Sequence, residues 1–589
     1  MRQRVSPAHA VVCEVSVLDQ LASEPAPSHR PADWIWRRAL RHYPDSAARY
    51  TYLAITVLAT IVLYYELYVP GAVATKIIGD LGFSFGGYVM VSVIGNAVGA
   101  FGSLAAGLAD RWGRANLVVV GLFVTAAIVL FGLPHAPNKA AYLVLFAVLS
   151  VVEGIMLVAT PALIRDFSPQ LGRASAMGFW TMGPVLGSLA VTEISSNTLD
   201  AHPQWRFQFY VCGIIGFVIA AIAFVGLREL SPALRDQLMV SVRDRELIEA
   251  RAAGLDPADA LRHQWRRLLR LDVLAPAFGI SMFLFFYYIA VGFFVVYFVT
   301  VFGYSEARAN SLANWYWGSN AIALVVAGVL SDRIRVRKPF MILGTAISLA
   351  AIGAFATLAT RPQTSYYEFA AVMAVGAIGG GVAYCAWMAS FTETVERHNP
   401  AATATGLALW GWTIRLVVAI SLAGFTLAVT AVSTLVDQGT RVAAIVQQYP
   451  EQVGTIGAVS PGVLTTLAQH PTDQQAGAAA VSQLMRAGLA PDPTAAAARL
   501  QQLATAPVPP ADLRYLSKHA GEVTRAKHDN PHQWQVWWWV CFAAQLVFVP
   551  TIFLLVGRWS PRRAREDAER HQALVRESLA QLHRESNTD

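Results

Sequence analysis

Charge is what this chain has least of. Asp, Glu, Lys and Arg make up only 14% of its 589 residues, against 55% hydrophobic residues, where a soluble globular chain carries about 25% charged residues. That balance excludes an ordinary water-soluble domain. Cysteine is scarce as well. Cys13 stands in the polar N-terminal stretch, and Cys212, Cys385 and Cys541 stand inside apolar runs, so no disulfide framework and no metal-ligand spacing results. The chain has no Gly-rich loop followed by Lys-Ser or Lys-Thr, which leaves ATP drive without support. It has no Ser-His-Asp spacing, and His263, His398 and the tail histidines are isolated. An enzyme, a metal site and a cofactor are therefore not expected. The net charge of +7 comes without the basic and aromatic alternation of a nucleic-acid-binding face, and arginines of this kind suit anionic inner-leaflet lipid.

What the chain has instead is apolar runs of roughly 20 residues, each able to cross the ~30 Å hydrocarbon core as a helix. About twelve can be counted, near 51–76, 86–108, 116–134, 141–164, 175–195, 206–228, 273–300, 310–331, 339–360, 367–391, 404–435 and 534–556. The first is not a cleaved signal, because about fifty polar, Arg-containing residues precede it and no small-residue cleavage site follows. This predicts an all-α integral membrane protein.

The basic residues of the connections divide by side. Arg37, Arg38, Arg41 and Arg49, then Arg111 and Arg114, Arg165 and Arg173, the 229–272 loop, Arg333 to Lys338, and Arg558 to Arg565 share one side; Lys76, Lys139, Arg308 and Arg361 share the other. The bias of Lys and Arg toward the cytoplasm places both termini there, in a plasma membrane. Residues 1–50 then form a cytoplasmic tail, 51–228 a first six-helix bundle, and 229–272 a cytoplasmic linker with a mixed-charge helical pattern. Residues 273–436 supply helices seven to eleven, and 437–533, rich in Ala, Gln and Thr, an outer insertion. Helix twelve follows at 534–556 and a charged cytoplasmic tail at 557–589.

The segment LADRWGR, residues 108–114, interrupts two apolar runs, and GVLSDRIRVRKP, residues 328–339, does the same about 222 residues later. Asp110-Arg111 thus recurs as Asp332-Arg333. LGFS, with Gly82 and Ser84, recurs as FGYS, with Gly303 and Ser305; GFWTM, with Trp180, recurs as ALWGW, with Trp410. Two copies of one six-helix unit are implied, an arrangement on which secondary transporters are built.

On these segments the chain resembles the major facilitator superfamily over residues 51–436 and 534–556. The family's loop between the second and third helices is similar to Gly, three residues, Asp, Arg or Lys, any residue, Gly, then basic residues. Asp110, Arg111, Gly113 and Arg114 match it; Ala106 and Ala115 depart from it. The second copy keeps Gly328, Asp332 and Arg333 but has Arg335 at the loop glycine. The resemblance implies two six-helix bundles related by a pseudo-two-fold axis, and it implies that these loops hold the halves together when the cytoplasmic side is closed. An Asp there can bond basic groups and the positive end of a neighbouring helix, and small residues such as Ala105, Ala106 and Gly107 allow close approach. The plainer reading is that Arg111 and Arg114 only set topology. MGPVLGS, with Gly183, Pro184 and Gly187, resembles part of the antiporter pattern that bends the fifth helix and seals the interface between halves; Phe179 stands where one of its glycines is expected.

Scaffold features should be duplicated, whereas features that serve a substrate need not be. Three intramembrane charges are unshared by the repeats. Glu66 matches a position near Tyr287, Glu153 matches Gly380 at offset 227, and Arg415 matches Val185. Ionisable groups at such depth are costly and are functional candidates by default, and a carboxylate facing an apolar cavity can exchange a proton near neutral pH. Glu66 also precedes a small-residue and proline stretch ending at Asp80, similar to the first-helix signature of family drug and metabolite antiporters, with Glu for the usual Asp and Pro70 displaced. Arg415 either neutralises one of the glutamates or meets an anionic substrate group, and Glu66 either couples protons or lies near a hydrated interface. Trp537, Trp538 and Trp539 suit an interfacial belt, as do Trp315, Tyr316 and Trp317. Trp180, Trp410 and Trp412 are placed to line a cavity or to join the belt, and an aromatic cavity suits an amphipathic substrate.

The expectation is a monomeric secondary transporter working on a small molecule and protons. Export of an amphipathic metabolite or drug leads. Proton-coupled uptake of an organic anion is the alternative, and a non-transporting receptor that uses the 437–533 insertion is the third reading.

Overall fold

The computed structural model of the chain describes residues 38–40, 42–104, 113–167, 182–231, 269–334, 336–398, 403–557 and most of 559–577. Each of the twelve apolar runs holds helix within its described residues. In the first half these are α1 (Ser46–Ala72), continuing past a break at Val73 as α2 (Ala74–Leu81), then α3 (Phe85–Leu104), α4 (Arg114–Ala127), α5 (Lys139–Phe167), α6 (Gly183–Thr198) and α7 (Trp205–Gly226). The second half contains α8 (Leu271–Phe283) and α9 (Phe285–Phe302), which form one span broken at Leu284. It continues with α10 (Glu306–Ile334), α11 (Lys338–Leu358), α12 (Tyr366–His398) and α13 (Thr403–Ala428). Among the described residues nine helices are long and apolar enough to cross a membrane, or ten if α2 and the start of α3, bent by 112°, are one span.

The insertion is helical, because alanine is the best helix former and the turns between its helices are capped. After the short α14 (Thr430–Thr434) it comprises α15 (Thr440–Gln448), α16 (Pro450–Ala458), α17 (Pro461–Gln469), α18 (Gln474–Arg486) and α19 (Pro493–Thr505). Asp473 accepts from the Ala476 N–H at 2.9 Å and Asp492 from the Ala495 N–H at 2.7 Å, the side-chain bonds that satisfy a helix start. A core of Val459, Ala480, Leu484, Ala490 and Ala496 holds these helices together. The last span also differs from expectation: α20 (Pro510–Ile552) runs 43 residues and starts well before residue 534.

The repeated LGFS and FGYS segments are two caps set back to back. Gly82 (φ 67°) ends α2 and Gly303 (φ 65°) ends α9 in the left-handed region that favours glycine. The next residues then start the following helices: Ser84 Oγ accepts from the Gly87 N–H at 3.1 Å, and Ser305 Oγ accepts from the Arg308 N–H at 3.2 Å. The same turn is built twice, at one end of each half.

That end carries the insertion and is termed the insertion face; the opposite end, with Arg38, Arg114 and Arg337, is the tail face. Toward the insertion face the halves share one apolar cluster, which runs from Val69, Ile77 and Phe85 to Phe293, Phe425 and Trp538. Toward the tail face the core divides. Ile55, Leu122, Leu163 and Phe167 belong to a cluster of the first half, and Ile280, Met341, Trp387 and Phe548 to a separate cluster of the second.

Within each half, glycines set the helix spacing. A Cβ on Gly154 of α5 would strike the Gly99 carbonyl of α3, and one on Gly99 would lie 2.9 Å from the Ser150 carbonyl; small residues permit such approach in membranes. Gly154→Ala is expected to cost about 1–3 kcal/mol through overpacking, read as a lower melting temperature of the purified protein; an unchanged melt would show that α3 and α5 can separate freely.

The tryptophan runs do not form a simple belt. Trp537 and Trp538 are buried against Phe425, Phe355 and Tyr297, and only Trp539 is exposed. Trp315 is exposed while Tyr316 and Trp317 are buried. Consecutive helical residues point about 100° apart, so three in a row cannot all face lipid.

Candidate functional site

At the tail face, Asp110, Arg111 and Trp180 lie outside the described residues; Gly113 and Arg114 do not. Gly113 precedes α4 with φ 88°, and the Glu229 carboxylate lies where its Cβ would be, so both backbone and space require glycine. The Arg114 N–H donates to Glu229 Oε2 at 2.7 Å, and its guanidinium pairs with Asp166 of α5 at 2.9 Å. Glu229 is fixed in turn. It lies in β2 (Glu229–Leu230), parallel to β1 (Ala39–Leu40), and the Arg38 guanidinium donates to carbonyls at the end of α7, including Leu227 O at 3.2 Å.

The second half builds a related pair. Arg337, just before α11, bonds Asp332 of α10 at 2.8 Å and Glu393 of α12 at 3.1 Å. Burial opposes the charge on Arg337, and Glu393 and Asp332 overcome it, holding the guanidinium above the ordinary arginine range. Asp332 is thus bound inside its own half. Arg333 is exposed, and Gly328 packs toward Cys385, whose Sγ lies 3.4 Å from its would-be Cβ.

The unshared charges fall into two places. Glu66 and Glu153 are 0% and 2% exposed, and none of their four carboxylate oxygens has a hydrogen-bond partner. Both lie inside the first bundle. The Glu66 carboxylate fills the space left by Gly216 of α7, beside Ala126 of α4, and Glu153 is its electrostatic neighbour, together with Cys212. The Thr125 side chain is near Glu66, but its hydroxyl donates to Leu122 O at 3.2 Å. Arg415 stands elsewhere, in electrostatic reach of Tyr64 and Tyr288 at the junction of the halves. Among the described residues no ion pair joins Arg415 to Glu66 or Glu153, as one of the two sequence readings has it, since the carboxylate oxygens of both are without a hydrogen-bond partner. Tyr64 lies between the two places, within reach of both Glu153 and Arg415.

The fifth-helix glycines also face differently from the resemblance. A Cβ on Gly183 would meet Thr60 at 2.7 Å and one on Gly187 would meet Tyr64 Cβ at 2.6 Å, so both seat α6 on α1 within one half. Another part of α6 meets the second half, where Asn314 donates to Glu193 Oε2 at 2.5 Å. Pro184 lines a cavity.

That cavity spans about 1020 Å³ of space between atoms, open solvent included. Tyr64, Tyr68, Pro184 and Val185 of the first half form one wall; all its other lining residues belong to the second half. They come from every span of that bundle, including Tyr287, Tyr316, Ser348, Met373, Trp410 and Gln545. The space therefore reaches into the second bundle. Glu66 and Glu153 do not line it, contrary to the expectation of carboxylates facing a cavity. Trp410 does line it, and Trp412 is 49% exposed on the outside of α13, two residues being about 200° apart on a helix.

A cluster that the sequence reading missed joins the halves at the insertion face. Glu306 of α10 pairs with Lys76 at 2.9 Å and accepts from Thr75. Asn310 donates to Ala72 O at 3.0 Å, and Asp437 accepts from the Phe85 N–H at 2.8 Å. Lys76 had counted only as an outer-side cation, and Asn310 was an overlooked signal, being a polar residue at the edge of an apolar run.

Comparison with known proteins agrees with this architecture. Search of curated proteins finds no match. Among solved structures, a bacterial homologue of the human lysosomal transporter Spinster matches in an inward-facing, unoccupied conformation, with TM-score 0.53 and 15% identity over 88% of this chain and 100% of that one. Its inward-facing, occupied form matches with TM-score 0.51 and 16% identity over the same shares. The proton:xylose symporter XylE bound to 6-bromo-6-deoxy-D-glucose matches with TM-score 0.50 and 12% identity, over 65% of this chain and 89% of that one. At such identities the likeness is one of fold. The family profile described as Major Facilitator Superfamily matches residues 56–415, more than half of the chain, and with two six-helix bundles, duplicated turns and a cavity at their junction, the chain belongs to that superfamily of membrane transporters.

Proposed function

We propose that this secondary transporter exports an amphipathic metabolite or drug in exchange for protons, with the tail face cytoplasmic and the membrane the plasma membrane. The reading rests on one observation: two unpartnered carboxylates, Glu66 and Glu153, are buried as neighbours in the first bundle, and Glu153 is in electrostatic reach of Tyr64, which lines the cavity. A charged carboxylate at that depth is costly. It holds a proton while enclosed and must reach water to release it, which ties proton transfer to the movement of one half against the other. Asp110, Arg111, Gly113 and Arg114, with Gly328, Asp332 and Arg333, serve as the gate of the tail face. They hold it shut once the insertion face has opened.

The test is flux in proteoliposomes with an imposed pH gradient of either sign. Antiport predicts that substrate moves against the proton flow and reverses when the gradient is inverted; movement with the protons would replace export by symport. The symport reading has its own support, since Arg415 stands beside Tyr64 and Tyr288 of the cavity and could meet an organic anion there.

A further inference from the structure

We propose that the cavity at the junction, built mostly by the second bundle, selects an uncharged aromatic molecule that bears both a hydrogen-bond acceptor and a donor. The proposal rests on the transport reading and names the class of substrate.

The repeat locates the pocket. Tyr287, the counterpart of Glu66, and Gly380, the counterpart of Glu153, both line it, and a Cβ on Gly380 would meet nothing within 4 Å. The two places that hold carboxylates in one half thus hold a tyrosine and a glycine beside the pocket in the other. Protons and ligand are assigned to equivalent places in two diverged copies. Leu284, the single residue between α8 and α9, also lines this space. Gln545 of α20 braces the break through Nε2, which donates to Phe283 O at 3.3 Å.

Three residues of the lining each carry a polar atom that is buried without a partner: the Tyr287 hydroxyl, Trp410 Nε1 and Gln545 Oε1. Buried polar groups are normally paired. The indole N–H can only donate, the amide oxygen can only accept, and the phenol can do either. A ligand carbonyl or hydroxyl answers Trp410 and Tyr287, and a ligand N–H or O–H answers Gln545. Asn320, by contrast, is engaged, donating to Ala377 O at 2.9 Å.

Charge and shape narrow the class further. Among the described residues no Asp, Glu, Lys, Arg or His lines the pocket, and Arg415 acts on it only from beside Tyr64 and Tyr288, so an ion entering it would lose water without a counter-ion in direct contact, a cost of several kcal/mol. Tyr288, Tyr316, Tyr384, Phe286 and Phe355 supply flat apolar walls, on which aromatic rings pack edge to face or offset.

The experiment uses the full chain in nanodiscs and three fluorescent probes of one ring size: 6-hydroxy-2-naphthamide (neutral), 6-hydroxy-2-naphthoate (anionic) and the matching naphthylmethylammonium (cationic). The naphthamide is expected to bind at least tenfold more tightly than either ion. Tyr287→Phe, Trp410→Phe and Gln545→Leu should each weaken it about three- to tenfold, in preparations whose melting temperature shows that they are folded; a variant that fails to fold leaves the other two to decide. Failure of the naphthamide to bind, wild-type affinity in the folded variants, or tighter binding of the naphthoate that is lost in Arg415→Gln would overturn the proposal. Residue-dependent naphthamide binding with no flux of any compound in proteoliposomes would keep the site and reject the transport reading.

Discussion

Glu153→Gln is expected to abolish gradient-driven accumulation, by at least tenfold, while substrate exchange at equal pH on both sides continues. Glutamine keeps the shape of the side chain and removes its proton exchange, so the change tests coupling and not packing. Its surroundings make the effect large. Glu153 is 2% exposed, has no hydrogen-bond partner, and neighbours Glu66, Tyr64 and Tyr68; nothing nearby replaces the lost carboxylate except Glu66. Glu66→Gln should act in the same direction. If both glutamines leave accumulation intact, protons are not the driving ion or they pass elsewhere. If equal-pH exchange also disappears, Glu153 belongs to substrate binding, and its separation from the cavity lining does not hold through the cycle.

The second large effect is conformational. Loss of the Glu306 carboxylate removes both the Lys76 ion pair and the Thr75 bond, and Asp437→Asn weakens the charged cap on the Phe85 N–H. Hydrogen bonds to charged groups contribute roughly 1.5–3 kcal/mol each. Screening at this partly exposed face reduces the Lys76 contribution, leaving a combined effect of about 2 kcal/mol in Glu306→Ala with Asp437→Asn. A change of that size moves a two-state equilibrium roughly thirtyfold. Distances between spin labels across the insertion face should lengthen in the double variant, with the opposite change across the tail face. An unaltered distance distribution would show that the shared apolar cluster, not these polar bonds, keeps the face closed.

The frame of the molecule was legible in the sequence, since the features that specify it are periodic or duplicated. Apolar runs gave the spans. Gly82 with Ser84, and Gly303 with Ser305, read as a repeat and proved to be one turn made twice, because a left-handed cap followed by a hydroxyl cap depends on local chemistry alone. The site was legible only in part. Glu66, Glu153 and Arg415 stood out as charges in apolar runs, but the sequence could not say that the glutamates point into one bundle while Arg415 stands at the junction. Side-chain direction depends on which helix lies opposite, as at Gly216. Gly183 and Gly187 illustrate the same limit: a small residue announces a close neighbour without naming it, and here the neighbour is α1. The pocket was hidden most completely. Its polar atoms belong to Tyr287, Trp410 and Gln545, which lie far apart in the chain and are commonplace singly.

The length of α20 has a mechanical consequence. About 24 of its residues precede the apolar run, a rod of roughly 36 Å at 1.5 Å per residue, and Trp534, Trp537 and Trp538 anchor its base in the core of the second half. Once Asp437 releases the Phe85 N–H of the first half, the insertion becomes a pointer attached to the second. A rotation of about 15°, a size seen in rigid-body subunit rotation, would swing its tip by roughly 9 Å while the pivot stays in place. Force or attachment applied at 440–505 would act on the halves through that lever, so a tether there, far from the cavity, could bias which side of the membrane the cavity meets.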